Sequence, residues 1–122
     1  MTPGLPPTAS PAPAPAPGDA DARLERLGDR IAELSARIQS ATYEMLVLIR
    51  EFDQQEGWGG RLSCAEWLSW RTGLAPGPAR EHVRVARALG ELPKLSDAMR
   101  RGRISYSKVR AVTRVATPEN EQ

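Results

Sequence analysis

Few residues of this 122-residue chain are of a type that could carry out catalysis. His82 is its one histidine and Cys64 its one cysteine, so these residues can form neither a histidine-pair metal site nor a His-Asn-His nuclease motif, and no dithiol either. Each falls among apolar residues of a predicted helix, which favours a packed side chain over a general base or a nucleophile. The carboxylates are scattered over helix surfaces. We therefore expect no catalytic site, no cofactor, no metal and no small-molecule substrate.

Arginines at helical spacing give the strongest indication of binding. One stripe follows a predicted third helix at i, i+4 and i+7, and a second follows a predicted fifth helix, opposite its apolar face. Guanidinium groups in register suit contacts with phosphates and with guanine, whereas arginines on solvated helix faces explain the pattern equally well. At such positions alanine should cost little stability. The predicted nucleic-acid-binding residues are Arg80, Arg84, Arg87, Arg103, Lys108, Arg110 and Arg114.

The charge is unevenly distributed along the chain. Residues 1–60 carry five basic and nine acidic side chains, a net of −4, whereas residues 61–122 carry twelve basic and six acidic ones, a net of +6. Such asymmetry is typical of a protein whose basic half has a polyanionic partner. On charge alone, an arginine-rich solvated surface is the slightly favoured interpretation.

Residues 69–79 approximate a helix-turn-helix. Gly73 is placed to form the turn and Ala79 is small enough to let the two helices approach. Pro76 and Pro78 crowd that turn, and His82 occupies a position that is usually apolar in the motif. The segment thus predicts a helix-turn-helix-like pair that would present the first arginine stripe.

The first predicted helix, from Asp21 to Gln55, carries a sustained heptad pattern. Its apolar residues follow an alternating three-four spacing over about four heptads, which is typical of a coiled coil. After Ala41 the apolar face widens, which indicates burial in a domain. An antiparallel partner helix or a second copy of the chain must cover the seam, so a homodimer through this helix is one expected partner. The seam consists of Leu24, Leu27, Ile31, Leu34, Ile38, Ala41, Met45, Leu48 and Phe52.

The remaining pattern predicts an all-α fold in three segments. Residues 1–18 alternate proline and alanine and predict a disordered tail, 19–56 form the long helix and possible coiled coil, and 57–122 form a small domain of four shorter helices. Ser63 with Glu66 predicts a capping box, and Ser105 predicts a further helix start. The chain shows neither a signal peptide nor a membrane span, and its single cysteine suits a cytoplasmic location.

From about Ile31 to Glu121 the chain resembles the 13E12 repeat family, also known as domain of unknown function 222. The resemblance rests on the Gly57-Trp58 turn, on Trp67-Leu68 with Arg71-Thr72-Gly73, on the block from Ala79 to Leu89 with Leu92-Pro93, and on the run from Gly102 to Glu119. It implies an actinobacterial helical domain that stands ahead of an HNH endonuclease module in longer members. This sequence stops inside the helical domain, so we expect it to be the N-terminal part of a longer protein. None of that module's histidines and asparagines occurs here, so no catalytic residue is carried over from the family.

Two functions follow as hypotheses. The first is a DNA-associated helical module, non-catalytic in itself, that positions duplex DNA through arginine contacts. The second is a protein-interaction module whose heptad seam drives dimerisation and whose arginines are merely solvated.

Overall fold

The structure, a computed structural model, describes Gly4 and residues 17–121. Five helices make up this part of the chain, and no strand occurs in it, which confirms the all-α prediction with its long first helix. The helices are α1 (Pro17–Gln54), α2 (Cys64–Thr72), α3 (Pro76–Leu89), α4 (Pro93–Arg100) and α5 (Tyr106–Val112).

Two compact units divide the chain, Met1–Glu33 and Leu34–Gln122. The division lies inside α1, so the second unit contains the C-terminal part of that helix together with α2 to α5. In the first unit the structure describes the beginning of α1, where Leu24, Leu27 and Ile31 are exposed. The predicted tail lies outside the described residues, except for Gly4 and for Pro17 and Gly18, which are the first residues of α1.

Local hydrogen bonds set the starts of α2 and α5. The Ser63 hydroxyl accepts a hydrogen bond from the Glu66 backbone N–H at 3.1 Å, as the capping-box spacing predicts. The Glu66 carboxylate in turn accepts from the backbone N–H of Leu62, one residue before the expected Ser63. Ser105 caps α5 in the same way, by accepting from the Lys108 N–H. These starts are therefore determined by neighbouring residues.

The start of α4 is capped from a distance. Leu92 precedes this helix and has no side chain that could accept a hydrogen bond. The Glu121 carboxylate instead accepts from the backbone N–H groups of Lys94 and Leu95, the latter at 3.2 Å. A negative group at a helix N-terminus also interacts favourably with the helix dipole. Glu121 thereby helps to fix the start of α4.

The core of the second unit lies where α3 meets its neighbours. Val85, Leu89 and Leu92 are all buried, as their i, i+4, i+7 spacing predicts. Met99 of α4 and Val109 of α5 are fully buried against the same cluster. Packing around α3 therefore brings α5 next to α3.

The C-terminal part of α1 packs on this core with a face that differs from the predicted seam. Leu46 and Ile49 are buried, at 1% and 6% exposure, whereas Ile38 and Leu48 remain 60% and 64% exposed. With 3.6 residues per turn, the buried face is rotated by roughly 100° from the seam. The heptad pattern therefore predicted an apolar row that this unit buries only in part, at Met45 and Phe52, which pack on the core.

Polar contacts hold the loop between α4 and α5 against α1. The Ser40 hydroxyl donates a hydrogen bond to the Arg100 carbonyl oxygen at 2.7 Å, and the Tyr106 backbone N–H donates to Gln39 Oε1 at 2.7 Å. Between them Gly102, at φ 73°, lies so close to Ala36 that a Cβ at position 102 would stand 2.6 Å from the Ala36 carbonyl oxygen. This loop fixes where α5 begins.

The tryptophans of α2 have different environments. Trp67 packs on Phe52 of α1 with ring centroids 4.2 Å apart, whereas Trp70 is 60% exposed, with the Arg61 guanidinium 4.2 Å above its ring. Gly73, with a φ of 82°, follows the last residue of α2. Residues 73–75 connect α2 to α3. Such a short connection is typical of helix-turn-helix pairs.

Candidate anion-binding cleft

A cleft of about 810 Å³ lies between the start of α3 and the length of α5. Four arginines, Arg80, Arg84, Arg110 and Arg114, line it together with one carboxylate, that of Glu81. The four guanidinium groups and the single carboxylate give the lining a net charge of +3. The remaining lining residues are Gly77, Pro78, His82 and Tyr106.

Three of these arginines converge on Glu81. Arg84 Nε donates to Glu81 Oε2 at 2.5 Å, and Arg110 donates to Oε1 at 3.3 Å. Arg114 donates to the same Oε1 atom. The hydrogen bond from Arg84, above all, lowers the pKa of Glu81, with further stabilisation of its charged form by Arg110 and Arg114. One carboxylate therefore holds three guanidinium groups in one place: those of Arg84 on α3, of Arg110 on α5 and of Arg114 just after α5.

Arg84 also joins α3 to α5 directly. Its guanidinium donates to the Arg110 carbonyl oxygen at 3.1 Å and to the Thr113 hydroxyl at 3.3 Å. The Thr113 hydroxyl donates to the same carbonyl oxygen at 3.0 Å. Arg84 thus satisfies backbone and side-chain acceptors near the end of α5, and its position is fixed on both sides.

His82 and Tyr106 form the apolar wall of the cleft. Their rings stack with centroids 4.5 Å apart, and His82 Nδ1 lies 2.8 Å from the Pro78 carbonyl oxygen and 3.2 Å from the Tyr106 hydroxyl. Because a carbonyl oxygen only accepts, Nδ1 carries the proton and donates to it. Burial raises the pKa of Tyr106. His82 is therefore a packed residue, as its place in the sequence predicts.

The structure separates the predicted binding residues into two sets. It brings Arg80, Arg84, Arg110 and Arg114 to the cleft and places three others outside its lining: Arg87, Arg103 and Lys108.

Arg87 pairs with Asp53 of α1, and its guanidinium donates to both carboxylate oxygens. Within the described part of the chain, the side chains of Arg80, Arg103 and Lys108 form no ion pair.

These ion pairs revise the expectation that alanine would cost little stability throughout the arginine stripes. Arg84 and Arg87 each connect two helices, so their removal breaks tertiary contacts. The expectation still applies to Arg80, which is exposed. Arginine spacing alone could not distinguish these cases, because the acceptors of Arg84 and Arg87 lie 26 and 34 residues away in sequence.

Glu81 is the residue of the cleft that sequence reasoning missed. Its position three residues before Arg84 is visible in the sequence and predicts a local ion pair. Its pairs with Arg110 and Arg114, 29 and 33 residues away, depend on how α5 packs on α3. From the sequence alone, a carboxylate among arginines is expected to weaken anion binding. In the structure, the Glu81 carboxylate also positions the guanidinium groups.

The described residues give little support to metal binding, to a reactive thiol or to a membrane-spanning helix. No group of three or more histidine, cysteine or acidic side chains within residues 17–121 could hold a metal ion. Cys64 is buried, and this burial raises the pKa of its thiol, which disfavours the nucleophilic thiolate. No helix of this part of the chain is long and apolar enough to cross a bilayer. The arrangement is suited to holding an oxyanion.

Comparison with known sequences identifies one family. The sequence model described as domain of unknown function (DUF222) matches residues 21–118, which span most of the chain. No curated protein and no solved structure matches the chain.

Proposed function

Since this chain belongs to the DUF222 family, whose description as a domain of unknown function assigns no activity, we propose from the geometry that it is a DNA-associated helical module, non-catalytic in itself. It holds the phosphate backbone of duplex DNA in the α3–α5 cleft. The observation that carries the proposal is the convergence of four arginines on one open cleft with a net charge of +3.

The cleft provides guanidinium donors that are already in position. Arg110 and Arg114 keep about half of their side-chain surface exposed, at 49% and 54%, although both contact Glu81. Ion pairs of such exposure contribute little free energy, so a phosphate oxygen can replace a Glu81 oxygen at small cost. Arg80 has no acceptor within the described residues and can contact a phosphate directly. Arginine forms bidentate hydrogen bonds with phosphate, which favours this ligand.

The wider role follows from the resemblance to the 13E12 repeat family. Helical domains of that family stand ahead of an HNH endonuclease module, so we propose that this module positions DNA for such a nuclease in an actinobacterial cytoplasm. Its own residues then contribute affinity and orientation, while bond cleavage belongs to the nuclease module. Phosphate contacts of this kind position a protein without reading the base sequence.

A salt titration with a labelled 20-base-pair duplex tests the proposal. Each phosphate that the protein neutralises contributes about 0.9 to the slope of log affinity against log salt. The double variant Arg80→Ala/Arg114→Ala should therefore flatten that slope by about 2 units. The double variant Arg26→Ala/Arg71→Ala removes the same charge from exposed sites outside the cleft lining and should leave the slope close to that of the unmodified chain.

A third variant tests whether the Glu81 carboxylate competes with phosphate for the guanidinium groups. Glu81→Gln removes the carboxylate that competes with phosphate and should raise the affinity for the duplex severalfold. Failure to bind duplex DNA at low salt would overturn the proposal. An equal loss of slope in the cleft variant and in its control would overturn the assignment to the cleft.

A further inference from the structure

A row of apolar side chains lies largely uncovered along α1, within the unit that begins at Leu34. Leu34, Ile38 and Leu48 are 41%, 60% and 64% exposed, Ala41 lies exposed between them, and Met45 is half-buried. These five residues are called the α1 row below. Single exposed aliphatic residues are ordinary, whereas a contiguous row is typical of an interaction surface.

Most of the α1 row takes no part in the core of its own unit; the exception is Met45, which packs partly against it. Leu46 and Ile49 provide the buried contacts of this helix, from a face that points elsewhere. Leu34, Ile38, Ala41 and Leu48 of the row therefore leave apolar surface open to solvent, whereas Met45 is partly covered by the core of the unit. Its three-four spacing matches the interlocking of side chains between two coiled helices.

The charges beside the row decide between orientations of a second helix. With Ile38 and Met45 at heptad position a, and Leu34, Ala41 and Leu48 at position d, the g positions are those that immediately precede each a residue. They are occupied by Arg23, Arg30, Arg37, Glu44 and Glu51. The e positions, which immediately follow each d residue, carry no charge: Gly28, Ser35, Thr42 and Ile49.

In a parallel pair, g residues of one helix face e residues of the other, so none of the charged g residues would face an opposite charge on the second helix. In an antiparallel pair, g residues face g residues. Arg37 of one copy then lies opposite Glu44 of the other, and the two-fold axis repeats this pair. The arginines precede the glutamates along the helix, so a reversed second copy places g arginines of one helix opposite g glutamates of the other.

We propose that the α1 row binds a second copy of this chain, antiparallel, with the two-fold axis passing between Gln39 and Ser40. In this register Ile38 packs against Ala41 of the other copy, and Met45 packs against Leu34. A large residue thus meets a small one at the centre, where the two helices approach most closely. Both Arg37 and Glu44 are exposed.

This surface is separate from the α3–α5 cleft. None of the residues that line the cleft belongs to α1. The antiparallel pair can therefore form whether or not the cleft binds DNA, and the two proposals fail independently.

Sedimentation equilibrium of the full chain tests the orientation by charge exchange. The chain should dimerise, and Arg37→Glu or Glu44→Arg alone should each raise the dissociation constant about tenfold, because two symmetric ion pairs become repulsive. The double variant Arg37→Glu/Glu44→Arg restores both pairs and should return the constant to within about threefold of the original. A control reversal, Arg26→Glu, lies outside positions a, d, e and g and should have no effect.

A second variant tests the row together with Leu27, which occupies the d position before Leu34. Leu27→Asp/Leu34→Asp should give a folded monomer, with helicity by circular dichroism preserved. Three results would overturn the proposal: a monomeric parent chain at all concentrations, single reversals without effect, or a double reversal that fails to restore the dimer. Loss of folding in the aspartate variant would place those leucines in the intramolecular core and would also overturn it.

Discussion

The Arg87 guanidinium donates two hydrogen bonds to the Asp53 carboxylate, at 2.7 and 2.9 Å. Asp53 lies in the last turn of α1 and its side chain is only 9% exposed, whereas Arg87, near the end of α3, is 63% exposed. The hydrogen bonds to Asp53 raise the pKa of Arg87. A mostly exposed arginine thus pairs with a nearly buried carboxylate and links α3 to α1.

Arg87→Ala should lower the free energy of unfolding by about 1–2 kcal/mol, because it leaves the Asp53 carboxylate without its charged donor. The loss should stay below the 3–5 kcal/mol of a fully buried pair, since Arg87 is largely in solvent. Urea denaturation at pH 7 measures the difference. Arg80→Ala removes the same charge from the same helix without breaking an ion pair and should stay within about 0.5 kcal/mol of the parent chain. Equal losses in the two variants would contradict the structural role of Arg87.

Gly102→Ala should destabilise the chain by about 2–4 kcal/mol. The new methyl group would stand 2.6 Å from the Ala36 carbonyl oxygen, and a φ of 73° is itself strained for alanine. Gly59→Ala is the matched control. Gly59 has a φ of 61°, but no atom lies within 4 Å of the place its Cβ would take, so only the strain of about 1 kcal/mol remains. Thermal unfolding followed by circular dichroism compares them. If both variants lost the same stability, the close approach to Ala36 would have no energetic consequence.

Because of the ion pairs of Glu81, the free energy of unfolding should depend on pH in the acidic range. Its pKa is lower in the folded chain than in the unfolded chain. The stabilisation is therefore fully present above the unfolded value of about 4.3 and is lost as the pH falls through the folded value.

Comparison with Glu81→Gln isolates this contribution, because the other carboxylates titrate in both proteins. The difference in melting temperature should be largest near pH 7 and should shrink as the pH falls below about 4.3. A difference that stayed constant from pH 7 to pH 3 would show that Glu81 has no charge-dependent role.

The Cys64 thiol should react slowly while the chain is folded. It is 2% exposed, and burial raises its pKa, with a further contribution from Asp53. Both effects lower the amount of accessible thiolate. At pH 8 an aromatic disulfide reagent should label the native chain at least about a hundredfold more slowly than the chain in urea. Fast labelling without denaturant would mean that the start of α2 opens readily.

The sequence was sufficient wherever a structural feature depends on neighbouring residues. Ser63 and Ser105 cap helices because their hydroxyls reach a backbone N–H three residues ahead. The apolar spacing of Val85 and Leu89 placed them in the core for a similar reason, since helix periodicity alone puts them on one face. The all-α fold and the packed state of His82 follow from the same local rules.

Contacts between distant residues were decided by the tertiary structure alone. The α1 heptads predicted an apolar row, but the packing of the second unit determined that Leu46 is buried and that Ile38 is exposed. The spacing of Arg84 and Arg87 predicted one stripe, yet Arg84 turns toward Glu81 and α5 while Arg87 pairs with Asp53. An arginine side chain is long and flexible, and its position in a helix does not specify which carboxylate it meets. That choice depends on which helices pack together, and packing is a property of the whole core.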